Sequence, residues 1–260
     1  MIFIFQCGLS GKFKALFDKS TPKDHWLDYA EEEFGLKTVI DTKTVVNILI
    51  LYIPLPIYWA VYVQQASRWV FQAARMDGNL RFISYTIKPD QMIIFNSVLG
   101  LLMIPVCEYV LYPLLALVRL KTPLQKMTIG GIFASIAFVL SGFVEMEIKN
   151  NYISIIWLVP QYLVLALSEN FLYIANIKFA YTEAPESMKS AMQAFTFLTN
   201  ALGNAIVAII SGLKIFESQA TELFFFAGVL FINQIIFGLL AVNYKYSKSD
   251  TCKKDTLIDK

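Results

Sequence analysis

Two carboxylates, Glu108 and Glu169, are where this sequence shows chemistry out of place. Each sits inside a long apolar run, about 15 or 16 residues from one end, or roughly 22–24 Å at a helical rise of about 1.5 Å per residue. A charge at the centre of a membrane-spanning helix costs about 2.5–3.5 kcal/mol even on a lenient scale, so such a residue faces a partner or a wet cavity. Neither apolar run contains a lysine or arginine to serve as that partner. Two readings stay open for each acid: a protonated carboxyl hydrogen-bonded between helices, or a substrate or proton site. The remaining inventory is thin. There is one histidine, His25, and the cysteines Cys7, Cys107 and Cys252 stand far apart. No disulfide framework, zinc site, GxSxG, HExxH or phosphate-loop pattern is present, and no cofactor is expected. A membrane enzyme would need a nucleophile, metal set or acid/base pair beside a cavity. The chain is therefore expected not to be an enzyme.

The elements that must hold these acids follow from composition. Of 260 residues, 57% are hydrophobic and 16% charged, with mean hydropathy +0.55. That is the make-up of an integral membrane protein in contact with the lipid bilayer. A net charge of +2 is too balanced for a nucleic-acid binder. A span of hydrocarbon about 30 Å thick takes roughly 20 apolar residues in a helix. Six such windows can be drawn, over residues 44–63, 93–118, 127–144, 153–177, 190–213 and 223–244. They are too long for barrel strands and lack their alternation. The expected class is all-α, with a linker over 1–43, a six-helix bundle over 44–245 and a polar tail over 246–260, expected to be disordered.

Lysine and arginine collect in cytoplasmic loops. Alternating the six windows puts 16 of them on one side and 6 on the other, so both termini are expected in the cytoplasm. The opening MIFIFQC is too short to span. Within 8–42, Trp26, Leu27, Ala30 and Phe34 recur at helical spacing, which predicts an amphipathic linker helix. Its acidic face suits packing on protein better than on anionic lipid. Pro54, Pro56, Pro105, Pro113 and Pro160 are expected to bend or break helices. Gly130, Gly131, Gly203 and Gly212 are expected where helices pack closely.

Several segments in one order resemble the proton-coupled oligopeptide transporters, in the animal peptide-transporter branch of the major-facilitator superfamily. They are His25-Trp26-Leu27-Asp28, Tyr52-Ile53-Pro54-Leu55-Pro56 with Trp59, Gln64-Gln65, and Ser67-Arg68-Trp69. Next come Pro89-Asp90-Gln91-Met92 with Asn96, Leu111-Tyr112-Pro113-Leu114, Pro160-Gln161-Tyr162 and Glu169. The most specific is Phe179-x-Tyr181-x-x-Ala184-Pro185-x-x-Met188-Lys189-Ser190, followed by Gly203-Asn204. The resemblance covers roughly residues 10–245 and maps to the second half of the family's twelve-helix fold. It implies a C-terminal six-helix bundle preceded by a cytoplasmic linker helix. The first-half bundle would be the missing partner, and the chain a fragment of a carrier or a truncated product. A truncated product would be a non-transporting protein that associates with an N-terminal half or a full transporter.

By the same resemblance the activity would be import of di- and tripeptides with protons by alternating access, at the plasma membrane. Glu169 would receive the peptide amino terminus and change charge with the coupling proton. Trp59 would wall a side-chain pocket, although by residue type alone it could equally be a packing or lipid-facing tryptophan. Asn96 and Gln65 would hydrogen-bond the peptide backbone, or bond a neighbouring helix. Lys189 is expected to anchor a helix end. Animal relatives set an arginine on the seventh helix against an aspartate on the eighth, where this sequence has Asn47 and Glu108. Val63 replaces an expected aspartate, and Lys178 an expected acid. Glu108 is therefore expected to be protonated or to find another mate, with gating and coupling altered.

Overall fold

The computed structural model describes residues 4, 9–10, 25–80, 84–117, 120, 122–213, 216–244 and 246. Most of MIFIFQC and the tail beyond 246 lie outside the described residues. Seven helices are long enough to name: α1 (Leu36–Tyr52), α2 (Leu55–Ala73), α3 (Gln91–Leu117), α4 (Pro123–Asn150), α5 (Ile155–Glu183), α6 (Glu186–Leu213) and α7 (Gln219–Asn243). The last five are each long and apolar enough to cross a membrane. α1 and α2 together make a sixth if the bent pair is one span. α4 runs past its apolar window at both ends, and α3, α5, α6 and α7 each at one end. One departure from all-helix is a small antiparallel hairpin, β1 (Asn79–Leu80) with β2 (Tyr85–Thr86), between α2 and α3.

The chain forms two compact units. The first comprises Met1–Ile50, Ala180–Phe195 and Tyr244–Lys260. Here the predicted amphipathic helix is a 3-10 turn, Trp26–Ala30, followed by Glu31–Phe34. His25 caps it: its Nδ1 accepts from the Leu27 amide, and Asp28 accepts from the His25 amide. Leu27 and Ala30 bury against Ile4 and Val39, with Trp26, Phe34 and Val46 packed around them. The apolar stripe thus meets protein. Gly35 ends this segment at φ 79°, a left-handed conformation that side-chain-bearing residues rarely adopt.

Lys43 donates to the Asp28 carboxylate. That hydrogen bond holds the Asp28 carboxyl below its ordinary range, partly opposed by desolvation and aided by the His25 amide. Because the folded value is the lower one, the stabilisation is complete above about pH 4 and lost as pH falls through the depressed value. Amide hydrogen exchange across residues 26–31, corrected for intrinsic rate, is expected to lose protection on acidification from pH 5 towards pH 3. Asp28→Asn should show the weaker protection already at neutral pH and little further change.

The second unit comprises Leu51–Phe179 and Thr196–Asn243. Its core is α4, whose buried face carries Gly130, Gly131, Ala134, Ser135, Ala137, Ser141 and Gly142. Small residues let backbones approach where lipid supplies no hydrophobic drive. A Cβ on Gly130 would lie 2.7 Å from the Leu172 amide nitrogen, so α5 packs on that side. On the other side Ser135 donates to the Ala227 carbonyl at 2.8 Å and Gln234 to the Met127 carbonyl at 3.1 Å, fastening α7. Gly203 is likewise a close-packing position, but a Cβ added at Gly212 would meet nothing within 4 Å, which corrects that expectation. Gly212 lies one residue from the end of α6, beyond the reach of neighbouring helices.

The prolines act in two ways. Pro54 and Pro56 separate α1 from α2, as expected, since neither supplies the amide a continuous helix needs. Asn233 donates to the Pro54 carbonyl at 3.0 Å and satisfies part of the break. Pro105 remains inside helix and is followed by a π-helical turn, Cys107–Leu111. Pro160 does not break its helix. It occupies the first α-helical turn after the 3-10 turn Ile155–Leu158, where a missing amide costs nothing. Arg68 reaches Glu222 at 2.8 Å and Arg75 reaches Glu145 at 2.7 Å, tying α2 to α7 and α4.

Candidate functional site

Glu169 stands where α5 departs from regular α geometry. It directly precedes a π-helical turn, Asn170–Ile174, and Glu108 lies inside the matching turn of α3. Such turns are rare and concentrate at functional sites, because the extra residue re-aims side chains. The Asn170 amide group donates to the carbonyls of Ala166, at 2.9 Å, and Gly100, at 3.1 Å, holding α3 against α5 at this level. Gly100 faces the acid: a Cβ there would make an ordinary contact with Glu169 Oε2, at 3.9 Å.

Opposite, α2 tightens midway into a 3-10 turn over Val63–Ala66. A repeat of three residues per turn lines up side chains at spacings of three. Gln65 lies in that turn, three residues after Tyr62 and six after Trp59 in the preceding α-helical stretch, and Tyr62 reaches Glu169, Gln65 and Asn96. Glu169 is half-buried, while Trp59, Gln65 and Asn96 are buried. Beside them opens a cavity of about 470 Å³, lined by Tyr62, Asn96, Gly100, Glu169, Asn170 and Tyr173 among others. The Trp59 ring meets Tyr62 and Tyr173 edge-on, at 5.6 and 5.7 Å between centroids. Trp59 Nε1, Gln65 Oε1 and Asn96 Oδ1 are buried without hydrogen-bond partners. Of these three residues only Asn96 lines the cavity, so Glu169, Tyr62 and Asn96 are the polar groups that face it together, with Trp59 and Gln65 behind them.

The structure thus places Glu169, Asn96 and Gln65 around one tyrosine, with Trp59 in the adjoining aromatic wall. Sequence reasoning missed Tyr62, Asn170 and Tyr173. For Tyr62 a signal existed, since it lies midway between Trp59 and Gln65.

Glu108 is elsewhere. Its carboxylate is half-exposed and lies 3.5 Å from the ammonium of Lys178. Lys178, one residue outside the apolar windows, thus stands as the other mate expected for Glu108. α5 continues beyond the window end at 177 and carries Lys178 alongside α3. Lys126 sits over the Tyr112 ring at 3.7 Å, on the other flank of the π turn. Asn47 is exposed on α1, in the first unit, whereas Glu108 belongs to the second. Lys189 pairs with Glu186 at 2.8 Å at the start of α6.

The family model described as "PTR2: POT family" matches residues 11–222. Among curated proteins, the chain is 44% identical over 130 residues to "Peptide transporter family 1" of Drosophila melanogaster, covering 50% of this chain and 17% of that protein. It is 42% identical over 135 residues to human "Solute carrier family 15 member 1", covering 51% of this chain and 19% of the relative. Among solved structures it is similar to an auto-inhibited POT family peptide transporter, with TM-score 0.75 and 27% identity over 84% of this chain and 44% of the other. It is also similar to the POT family transporter PepTSo, with TM-score 0.73 and 27% identity, covering 84% and 45%. The chain therefore spans less than half of these solved transporters, and its matches span under a fifth of those curated relatives.

Proposed function

The chain belongs to the POT family, and from that premise we propose that it forms the C-terminal six-helix bundle of a carrier that imports di- and tripeptides together with protons. The bundle would rock against an N-terminal six-helix partner around a peptide held near mid-membrane. Glu169 is the carrying observation: an acid beside a cavity of about 470 Å³, with a tyrosine neighbour and, among the described residues, no cation paired with it. In that position the carboxylate receives the peptide ammonium by a charge-assisted hydrogen bond. Asn96 Oδ1 and Gln65 Oε1 accept from peptide amides, and Trp59 supports the side-chain pocket through Tyr62 and Tyr173. Protonation of Glu169 would weaken its hold on the ammonium, which couples proton and peptide without any cofactor.

Glu169, Glu108 and Asn47 are the proton-coupling or gating candidates in this reading, each taken by itself. The Glu108–Lys178 pair supplies within one bundle a contact that Asn47 cannot make, having no charge. We place the bundle in the plasma membrane, as its likeness to peptide carriers implies, and both termini in the cytoplasm, following the 16-to-6 distribution of lysine and arginine.

Uptake of a labelled dipeptide tests the reading. Cells making this chain together with a separately made first-half bundle from a POT family transporter should accumulate dipeptide faster in an inward proton gradient. Cells making either piece alone should show background uptake. Uptake by this chain alone, or none by the pair when both are present in the membrane and bound to each other, would count against it.

A further inference from the structure

The groove between α3 and α5 continues past the cavity and meets a surplus of positive charge. The two helices keep one register over three successive levels. Asn170 donates to the Gly100 carbonyl, Ile104 and Ile174 both line the cavity, and Glu108 pairs with Lys178, so each step is four residues on either helix. At about 1.5 Å per residue, the ion pair lies about 6 Å beyond the last cavity-lining level, towards the C-terminal ends of both helices.

The pair is loose. Its charged atoms are 3.5 Å apart, and the Lys178 and Glu108 side chains are 60% and 51% exposed. Exposed pairs of this kind add little to stability, so Glu108 does not hold Lys178 against a competing carboxylate. A second ammonium stands beside them. Lys126, on α4, feels the charges of both Lys178 and Glu108 and rests over the Tyr112 ring at 3.7 Å. That ring steadies a cation without neutralising it, and among the described residues Lys126 has no ion-pair partner. Two ammonium groups thus share one carboxylate, and all of these residues belong to one compact unit of the chain.

We propose that Lys178 and Lys126 form a subsite for a carboxylate of the cargo, with Glu108 as the internal anion that the cargo displaces. Resting on the carrier reading, the subsite takes a peptide whose ammonium sits at Glu169. Lys178 follows Glu169 by nine residues, or about 13 Å along α5. An extended tripeptide spans about 10–11 Å, and the flexible stem of the lysine covers the rest. One molecule lying along the groove can therefore meet both charges. Its carboxylate comes from the carboxyl terminus or from an acidic side chain, with the same chemistry in either case.

Because the subsite lies within one unit, the full chain in detergent tests it without transport. Amine-selective labelling, read residue by residue by mass spectrometry at constant ionic strength, reports whether an ammonium is covered. Trialanine should slow labelling of Lys178 and Lys126 several-fold and leave Lys149, exposed near the other end of α4, unchanged. Trialanine amide keeps the ammonium, lacks the carboxylate and should protect neither. Alanyl-aspartate diamide carries its carboxylate on the side chain once the terminus alone is amidated. Protection by that form without protection by trialanine assigns the subsite to acidic side chains, and the reverse assigns it to the carboxyl terminus. Acetate, without a second anchor at Glu169, should protect at least about ten-fold less well.

Glu108→Gln keeps the volume and removes the competing anion, so half-protection of Lys178 should need several-fold less peptide, a gain that a merely structural ion pair does not predict. If that variant does not fold, Lys126→Gln should weaken protection of Lys178. No protection of Lys178 by either carboxylate-bearing peptide, equal protection by trialanine amide or by acetate, or no gain in a folded Glu108→Gln chain would overturn the proposal. Uptake by the paired bundles judges the carrier reading separately: protection without uptake leaves the carboxylate site standing, and uptake without protection removes it.

Discussion

Glu169→Gln in a full-length carrier containing this bundle is expected to weaken binding of a dipeptide with a free amino terminus by at least about 30-fold. Truncating one partner of a desolvated charge pair costs about 2–5 kcal/mol, and about 2 kcal/mol already corresponds to that factor. Glutamine preserves the shape and the reach to Tyr62, so the loss isolates the charge. The same variant should stop distinguishing a free dipeptide from its N-acetylated form, because neither then meets a carboxylate. Its uptake should also lose the part of the pH dependence that comes from titration of Glu169. Unchanged affinity with an unchanged pH profile would remove Glu169 from the mechanism, however well the rest of the site is formed.

Gly203→Ala should have the largest structural effect of any single methyl group near the site. A Cβ at Gly203 would lie 2.6 Å from Trp59 Cβ, 2.7 Å from the Pro56 carbonyl oxygen and 2.8 Å from the Ala60 nitrogen. Two of those atoms are backbone and cannot turn aside, so α6 and α2 must separate. Overpacking of this kind costs about 1–3 kcal/mol. At about 2–4 °C per kcal/mol for a chain of this size, thermal unfolding in detergent should fall by several degrees. Because Trp59 is pushed directly, peptide uptake should fall as well. Gly212→Ala and Gly228→Ala meet nothing within 4 Å and should melt at the parent temperature or slightly higher, since alanine favours helix by about 1 kcal/mol. A Gly203→Ala chain that melts with those controls would show that α2 and α6 are not packed this closely.

Long-range order along the chain was legible where one local property carried it. Runs of about 20 apolar residues can satisfy their backbone in lipid only as helices, so the six windows were readable without any partner. The two prolines at 54 and 56 announced a break because the missing amides are local facts. The stripe Trp26, Leu27, Ala30 and Phe34 foretold a buried face, and capping by His25 and Asp28 required only neighbours in sequence. Gly203 could be suspected of close packing, but nothing in sequence distinguished it from Gly212, since the difference is whether another backbone happens to lie across the glycine.

The sequence by itself determined that Glu108 and Glu169 were anomalous, that the chain was membrane helix, and which family it resembled, because charge, hydropathy and ordered motifs are properties of residues taken one at a time. Only the tertiary structure decided that the acids differ: Glu169 opens on a cavity beside Tyr62, while Glu108 meets Lys178, a residue 70 positions away. It alone revealed the π turns at both acids, which have no composition of their own.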